Sequence, residues 1–259
     1  MSGLSNFFSV LNLDAEDDKE QIAIPNAVSA IEESSGRISG DGDEHTGELT
    51  VKRAPSKSHK SNNKVLQLSS SLSGNYKLPL VWIDLEMTGL DIEVDRILEI
   101  ACVITDGKLT TSMEGPDLVI NQSKECLDNM GEWCREHHAA SGLTERVLQS
   151  TITEKDAEEQ VINFVKNHIG SQTPLLAGNS VYVDFMFLKK YMPYLAGIFP
   201  HVLVDVSSIT ALCMRWFPKE RKAAPTKEKR HRAMDDIKES IRELKYYKEN
   251  IFKGFRKSK

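Results

Sequence analysis

The 259-residue sequence holds only four cysteines, Cys102, Cys126, Cys134 and Cys213, with no C-x-x-C pair and no zinc-ligand spacing among them. A disulfide framework and a structural zinc site are therefore not expected, and the reading is reduced thiols in a cytoplasmic or mitochondrial compartment. No apolar stretch is long enough to cross a bilayer, so no membrane association is expected. The N-terminus lacks the layout of a signal peptide. It carries Asp14, Glu16, Asp17, Asp18 and Glu20 early, where transit peptides are poor in acids. A surplus of positive charge is also missing: 33 Lys and Arg face 38 Asp and Glu, a net charge of -5. Any contact with nucleic acid has to be local rather than a long basic track. No internal repeat is visible.

What is present divides unevenly. Residues 1–77 are polar and serine-rich, as in Ser56-Lys57-Ser58 and Ser69-Ser70-Ser71. Such a segment buries too little apolar surface to offset its ordering entropy and is expected to be a disordered extension. Residues 78–254 read as one folded domain, and 255–259 as a short basic tail. Within the domain, Leu80 to Met87 and Arg96 to Thr105 read as strands, the second ended by the turn signal Asp106-Gly107. Leu118 to Asn121 is a third, giving an antiparallel meander. Lys124 to Ala140 and Glu154 to Ile169 read as helices, the latter with Ala157, Val161, Phe164 and Val165 at helical spacing. Pro174 to Ala177 and Val202 to Val206 are further strands. Val181 to Tyr191, Ile209 to Phe217 and Ala233 to Tyr247 are helices, with Lys219 to Arg232 a basic loop. The expected fold class is α/β, a mixed five-stranded sheet flanked by helices.

The chemistry begins at Asp84-Leu85-Glu86, which ends the apolar run Leu80-Val81-Trp82-Ile83. Alternation along a strand puts Asp84 and Glu86 on one face. Two anions held together titrate abnormally unless a cation lies between them, and hard divalent cations prefer such oxygen ligands. Asp184 falls just after a strand, in the first turn of a helix. His231 and Asp236 lie five residues apart, crossing from the basic loop into the last helix. Of the pair Asp235-Asp236, Asp235 shares a face with Lys238, Glu239 and Arg242, a solvated stripe. Asp236 shares a face with Ala233 and Ser240 and is the better candidate to reach the sheet. Carboxylates from distant segments, all at element ends, suit a pair of divalent ions acting at phosphorus, with His231 as the base.

These residues resemble the DEDDh 3′–5′ exonuclease superfamily, with its Asp-x-Glu, Asp and His-x₄-Asp motifs, and within it the oligoribonuclease family. The carrying segments are Trp82 to Leu90, His138 to Leu143, Gly178-Asn179-Ser180, Lys190 to Pro193, Asp205-Val206-Ser207 and His231 to Ile237. The resemblance implies a ribonuclease-H-like fold and a homodimer that removes nucleotides from the 3′ end of short single-stranded RNA, down to dinucleotides, using two Mg²⁺ or Mn²⁺ ions. It implies that Asp84, Glu86, Asp184 and Asp236 hold metal and that His231 is the general base. Leu90 matches an apolar wedge between bases. Trp133 and His138 match substrate contacts. Ser180, Ser207 and Ser208 match hydroxyls that cap the terminal phosphate. His201 can stack on a base.

The pattern departs from the family at one place. Where members carry His-Tyr-Arg, this chain has Pro200-His201-Val202, and Val202 cannot hydrogen-bond a phosphate. Lys227, Lys229, Arg230 or Arg232 are the nearby cations that could replace the missing guanidinium. Two alternatives differ in class or substrate: a 3′–5′ exonuclease on DNA or structured RNA ends, and a module that binds short RNA without cutting it.

Overall fold

In a computed structural model, residues 76–227 and 232–252 are described. The chain divides into two units, Met1–Ser61 and Asn62–Lys259, and the described residues belong to the second. The expected N-terminal extension up to residue 75, the expected C-terminal tail, Lys229, Arg230 and His231 lie outside the described residues.

Five strands form one sheet among the described residues: β1 (Leu80–Met87), β2 (Ile97–Thr105), β3 (Ser112–Val119), β4 (Leu175–Gly178) and β5 (Leu203–Asp205), in the order β3-β2-β1-β4-β5. The first three are antiparallel and β4 and β5 run parallel to β1. This is the mixed five-stranded sheet the sequence predicts. The β2 residues are buried throughout, as an apolar strand covered on both faces requires.

Alternation along β1 divides its side chains between two layers. Val81, Ile83 and Leu85 pack with Ala157, Val161 and Val165 of helix α4 (Glu154–Ile169) and with Phe187 and Leu188 of α5 (Tyr182–Tyr191). Leu80 and Trp82 pack with Val206, the first residue of α7 (Val206–Trp216), and with Ala233, Ile237 and Leu244 of α9 (Ala233–Asn250). Asp84 and Glu86 follow the parity of Trp82 and so face the α9 layer. Trp82 is wholly buried and donates its indole N–H to Thr105 Oγ1 at 2.9 Å. Helix α4 starts on a capping box between Thr153 and Asp156.

Several expectations need correction. The third strand begins earlier than Leu118, at Ser112, because β2 and β3 form one hairpin across Asp106-Gly107. The single helix expected over Lys124 to Ala140 is two, α1 (Lys124–Asp128) and α2 (Glu132–Ala140), divided where Gly131 takes an extended N-cap conformation. A further helix, α3 (Leu143–Gln149), starts after Gly142, whose φ of 71° a side chain would resist. Pro193 opens a short turn, α6 (Pro193–Ala196), and Pro218 opens another, α8 (Pro218–Lys222), inside the expected loop. Proline at the first helical position loses no hydrogen bond, so here it starts helices rather than only stopping them.

Candidate active site

The carboxyl ends of β1, β4 and β5 lie at one side of the sheet, the usual location of ligand sites in parallel α/β layers. Asp84 and Glu86 come from the end of β1, and Asp236 comes from the first turn of α9. One carboxylate oxygen from each lies within 4.8 Å of the others, and all three residues are half-buried. Asp236, not Asp235, is the aspartate that meets the sheet. The stripe beyond Asp235 is not wholly solvated as expected, since Glu239 is buried while Lys238 and Arg242 reach Glu114 and Glu239.

Asp184 joins from the first turn of α5. It is buried, and its Oδ1 accepts the Leu85 backbone N–H at 2.9 Å, which locks the helix start to the strand between Asp84 and Glu86. It stands outside the group of three that meet within 4.8 Å, yet it is close enough to perturb Asp84 and Glu86.

The electrostatics are those of anions short of a counter-charge. Burial, then the carboxylates of Asp184, Asp236 and Glu86, pushes Asp84 well above the usual carboxylate range. Burial raises Glu86 to about 8, with Asp236, Glu99 and Asp184 adding to it. Asp184 is raised to about 7 by burial, against the hydrogen bond from Leu85. Asp236 is raised to about 6 by burial and then by Glu239. The Lys227 ammonium lowers both Asp84 and Asp236, and Lys227 is itself paired with Glu243 at 3.3 Å. An all-oxygen donor set of this kind fits a hard divalent cation, whose charge would hold all these groups ionised.

Next to this cluster, His138 of α2 is almost wholly buried. Its Nε2 lies 2.9 Å from the Met87 carbonyl. A carbonyl only accepts, so Nε2 carries the proton and Nδ1 is left as an acceptor. Nδ1 has no hydrogen-bond partner and lies 3.9 Å from Glu86 Oε2. Burial holds the imidazole pKa below its ordinary value.

At the ends of β4 and β5, Asp205 gathers the serines. Its Oδ1 accepts the Ser180 N–H at 2.9 Å, the Ser207 N–H at 3.0 Å and the Ser207 hydroxyl at 2.7 Å. Ser180 has a φ of 52°, a conformation this three-way anchor supports. Gly178 is required just before it, because a Cβ there would come within 3.0 Å of the Ile83 carbonyl oxygen.

Comparison with known proteins identifies the family. The exonuclease family model (RNase_T) matches residues 81–244. The oligoribonuclease of Arabidopsis thaliana is 71% identical over 183 residues, covering 71% of this chain and 82% of that protein. The mitochondrial oligoribonuclease of Homo sapiens is 52% identical over 174 residues, covering 67% and 73%. The chain belongs to the oligoribonuclease family. It is thus a nuclease of the DEDDh exonuclease superfamily. Among solved structures, the zinc-bound E. coli exonuclease I–single-stranded DNA complex superposes with a TM-score of 0.50 at 15% identity, covering 68% of this chain and 42% of that one. That likeness shows the shared ribonuclease-H-like fold.

The other positions matched to oligoribonuclease substrate contacts surround the cluster in sequence and differ in exposure. Leu90 is half-buried in a turn fixed by Asp95, which accepts from the Thr88 hydroxyl at 2.7 Å and the Asp91 N–H at 2.8 Å. Trp133 is half-buried and stacks on His137 at 3.8 Å between ring centroids, so it is not a core residue. His201, Val202 and Ser208 are exposed. Reasoning from sequence missed Asp205 as the residue that organises Ser180 and Ser207, although an aspartate two residues before a serine at a helix start is a capping signal. It also missed Glu99, a charge inside the otherwise apolar Ile97–Thr105 strand.

No helix among the described residues is long and apolar enough to cross a membrane.

Proposed function

We propose that the chain is a 3′–5′ exoribonuclease that degrades short single-stranded oligoribonucleotides, down to dinucleotides, to mononucleotides. The observation that carries the reading is the meeting of Asp84, Glu86 and Asp236 within 4.8 Å beside the buried Asp184. Relatives named oligoribonuclease in plant and human support the substrate class.

Asp84, Glu86, Asp184 and Asp236 would hold two Mg²⁺ or Mn²⁺ ions. When bound, such ions supply Lewis acidity at the phosphate and acidify a water. His231 takes the proton of the attacking water, a task suited to an imidazole that titrates near neutrality. Asp184, tied to the β1 backbone, keeps its carboxylate in register with Asp84 and Glu86. Leu90, Trp133 and His201 contact bases without reading sequence. His138 borders the substrate site, its imidazole held in place by Nε2 on the Met87 carbonyl. Ser180 and Ser208 offer hydroxyl donors to a terminal phosphate, with Ser207, whose own hydroxyl proton goes to Asp205, at the same end, and a site closed at one end by hydrogen-bond donors takes short chains only. An acidic chain with no long basic track fits that restriction.

The working unit in this reading is a homodimer in the cytoplasm or mitochondria. Leu212, Trp216 and Phe217, exposed on and just after α7, are apolar surface of the kind a second copy covers. The human relative is named mitochondrial.

A 5′-labelled RNA three-mer and its DNA equivalent, each incubated with Mg²⁺ and with EDTA, test the reading, with Asp84→Ala as control. Stepwise shortening of the RNA from its 3′ end, abolished by EDTA and by Asp84→Ala, is the expected result. Equal or faster cutting of DNA would redirect the assignment to a DNA exonuclease. Binding of the RNA without cutting would leave a binding module.

A further inference from the structure

Glu99 is a carboxylate with no solvent exposure, the third residue of an apolar strand, and it stands directly across from Glu86 in the β1–β2 pairing. Like charges opposite one another on neighbouring strands repel, and burial strengthens the repulsion. Such a group needs strong compensation, and the structure supplies it from two directions. Arg232 grips Glu99 with two nitrogens, Nε at 3.2 Å to Oε2 and Nη2 at 2.9 Å to Oε1. Arg146 of α3 reaches Oε1 at 3.4 Å. The backbone N–H of Ala233 adds a long contact to Oε2 at 3.4 Å.

These partners have one consequence for the site. Arg232 is the residue before α9, and Ala233 is the first residue of that helix. The Arg232 carbonyl accepts the Asp236 N–H at 3.0 Å, closing the first turn. Glu99 therefore holds the Arg232 side chain firmly and the Ala233 N–H weakly, on either side of the carbonyl that accepts from Asp236. Among the described residues the first turn of α9 has no side-chain N-cap, and the next ionic tie of the helix to the sheet, Lys238 to Glu114 at 2.9 Å, comes after Asp236 and from a more exposed pair. The remaining attachment is apolar packing by Ala233 and Ile237, which fixes distance better than angle.

We propose that Glu99 is a positioning residue: through Arg232 and Ala233 it sets the first turn of α9 so that the Asp236 carboxylate meets Asp84 and Glu86. The inference deepens the metal-site reading proposed above and rests on it. Glu99 itself faces Arg146 and Arg232 and is not one of the three acids that meet within 4.8 Å.

The test is Mn²⁺ binding by calorimetry on the full chain without substrate, for the wild type, Asp84→Ala, Glu99→Gln, Arg232→Gln and the double variant. Glu99→Gln keeps the shape and removes the charge that holds the arginine. The expected result is a loss of Mn²⁺ affinity of about ten- to a hundredfold for Glu99→Gln, of the size seen when residues behind metal ligands are changed. Arg232→Gln should lose affinity in the same direction. The double variant should be no worse than the poorer single one, because both act through the same contact. A purely structural role would lower the melting temperature in EDTA but leave the Mn²⁺ affinity of the folded protein alone, and that outcome overturns the inference. If Glu99→Gln does not fold, Arg232→Gln, whose side chain is 29% exposed, decides the matter by the same criterion. Wild-type protein that takes up no Mn²⁺ would overturn the metal-site reading and the inference together. Normal uptake by the wild type and by both single variants would overturn the inference alone.

Discussion

Asp235 and Asp236 are adjacent and chemically identical, yet only Asp236 has its carboxylate turned to Asp84 and Glu86. Asp236→Asn should therefore lower kcat by about a hundredfold or more, since Lewis-acid stabilisation is worth several kcal/mol. Asp235→Asn should stay within about twofold, and steady-state rates on a labelled RNA three-mer separate the two. The choice between them was legible in the sequence because helical spacing alone puts Asp236 beside the buried Ala233 and Ile237. Val202 is the opposite case: its isopropyl group is exposed at the position where the resemblance leads one to expect a guanidinium. Val202→Arg should raise the preference for two-mers over five-mers by up to about tenfold, the worth of one charge-assisted hydrogen bond to a phosphate. An unchanged ratio of rates on the two lengths would remove that role.

The elements divide labour between the two faces of the sheet. Helix α4 packs on the face that carries Val81, Ile83 and Leu85, away from the carboxylates. Removing half of its capping box with Thr153→Ala should cost about 1 kcal/mol of stability in urea denaturation. The same variant should leave kcat and KM unchanged, because α4 contributes no group to the site. Helix α4 and strand β1 could be read from the sequence to the residue, since each has a full period of apolar positions and a clear boundary. Helix α3 and the break at Gly131 could not. They are short, and what ends one helix and begins the next is a backbone conformation at Gly131 and Gly142 rather than a hydrophobic pattern.

At the scale of the whole molecule, the raised carboxyl pKa values couple stability to pH and to metal. Glu86 near 8, Asp184 near 7 and Asp236 near 6 all exceed the unfolded values near 4. Between those limits the folded, metal-free protein binds more protons than the unfolded chain, so its stability falls as pH rises from about 4 to about 8. Melting temperatures in EDTA should decline across that window. Saturating Mn²⁺ should remove the decline, because the cation makes ionised carboxylates favourable and binds the folded state only. Parallel melting curves with and without Mn²⁺ from pH 5 to 8 would contradict this account. The sequence by itself determined a mixed five-stranded sheet with helices on its faces and singled out Asp84, Glu86 and Asp236, which meet, because strand alternation, helical periodicity and the spacing of these acids are properties of the chain order. Only the tertiary structure decided which groups hold those acids in place. Leu85 N–H on Asp184 and Glu99 on Arg232, and likewise Asp205 on Ser180 at the neighbouring strand ends, join residues up to 133 positions apart. Contacts of that reach depend on how layers stack, and no local pattern records them.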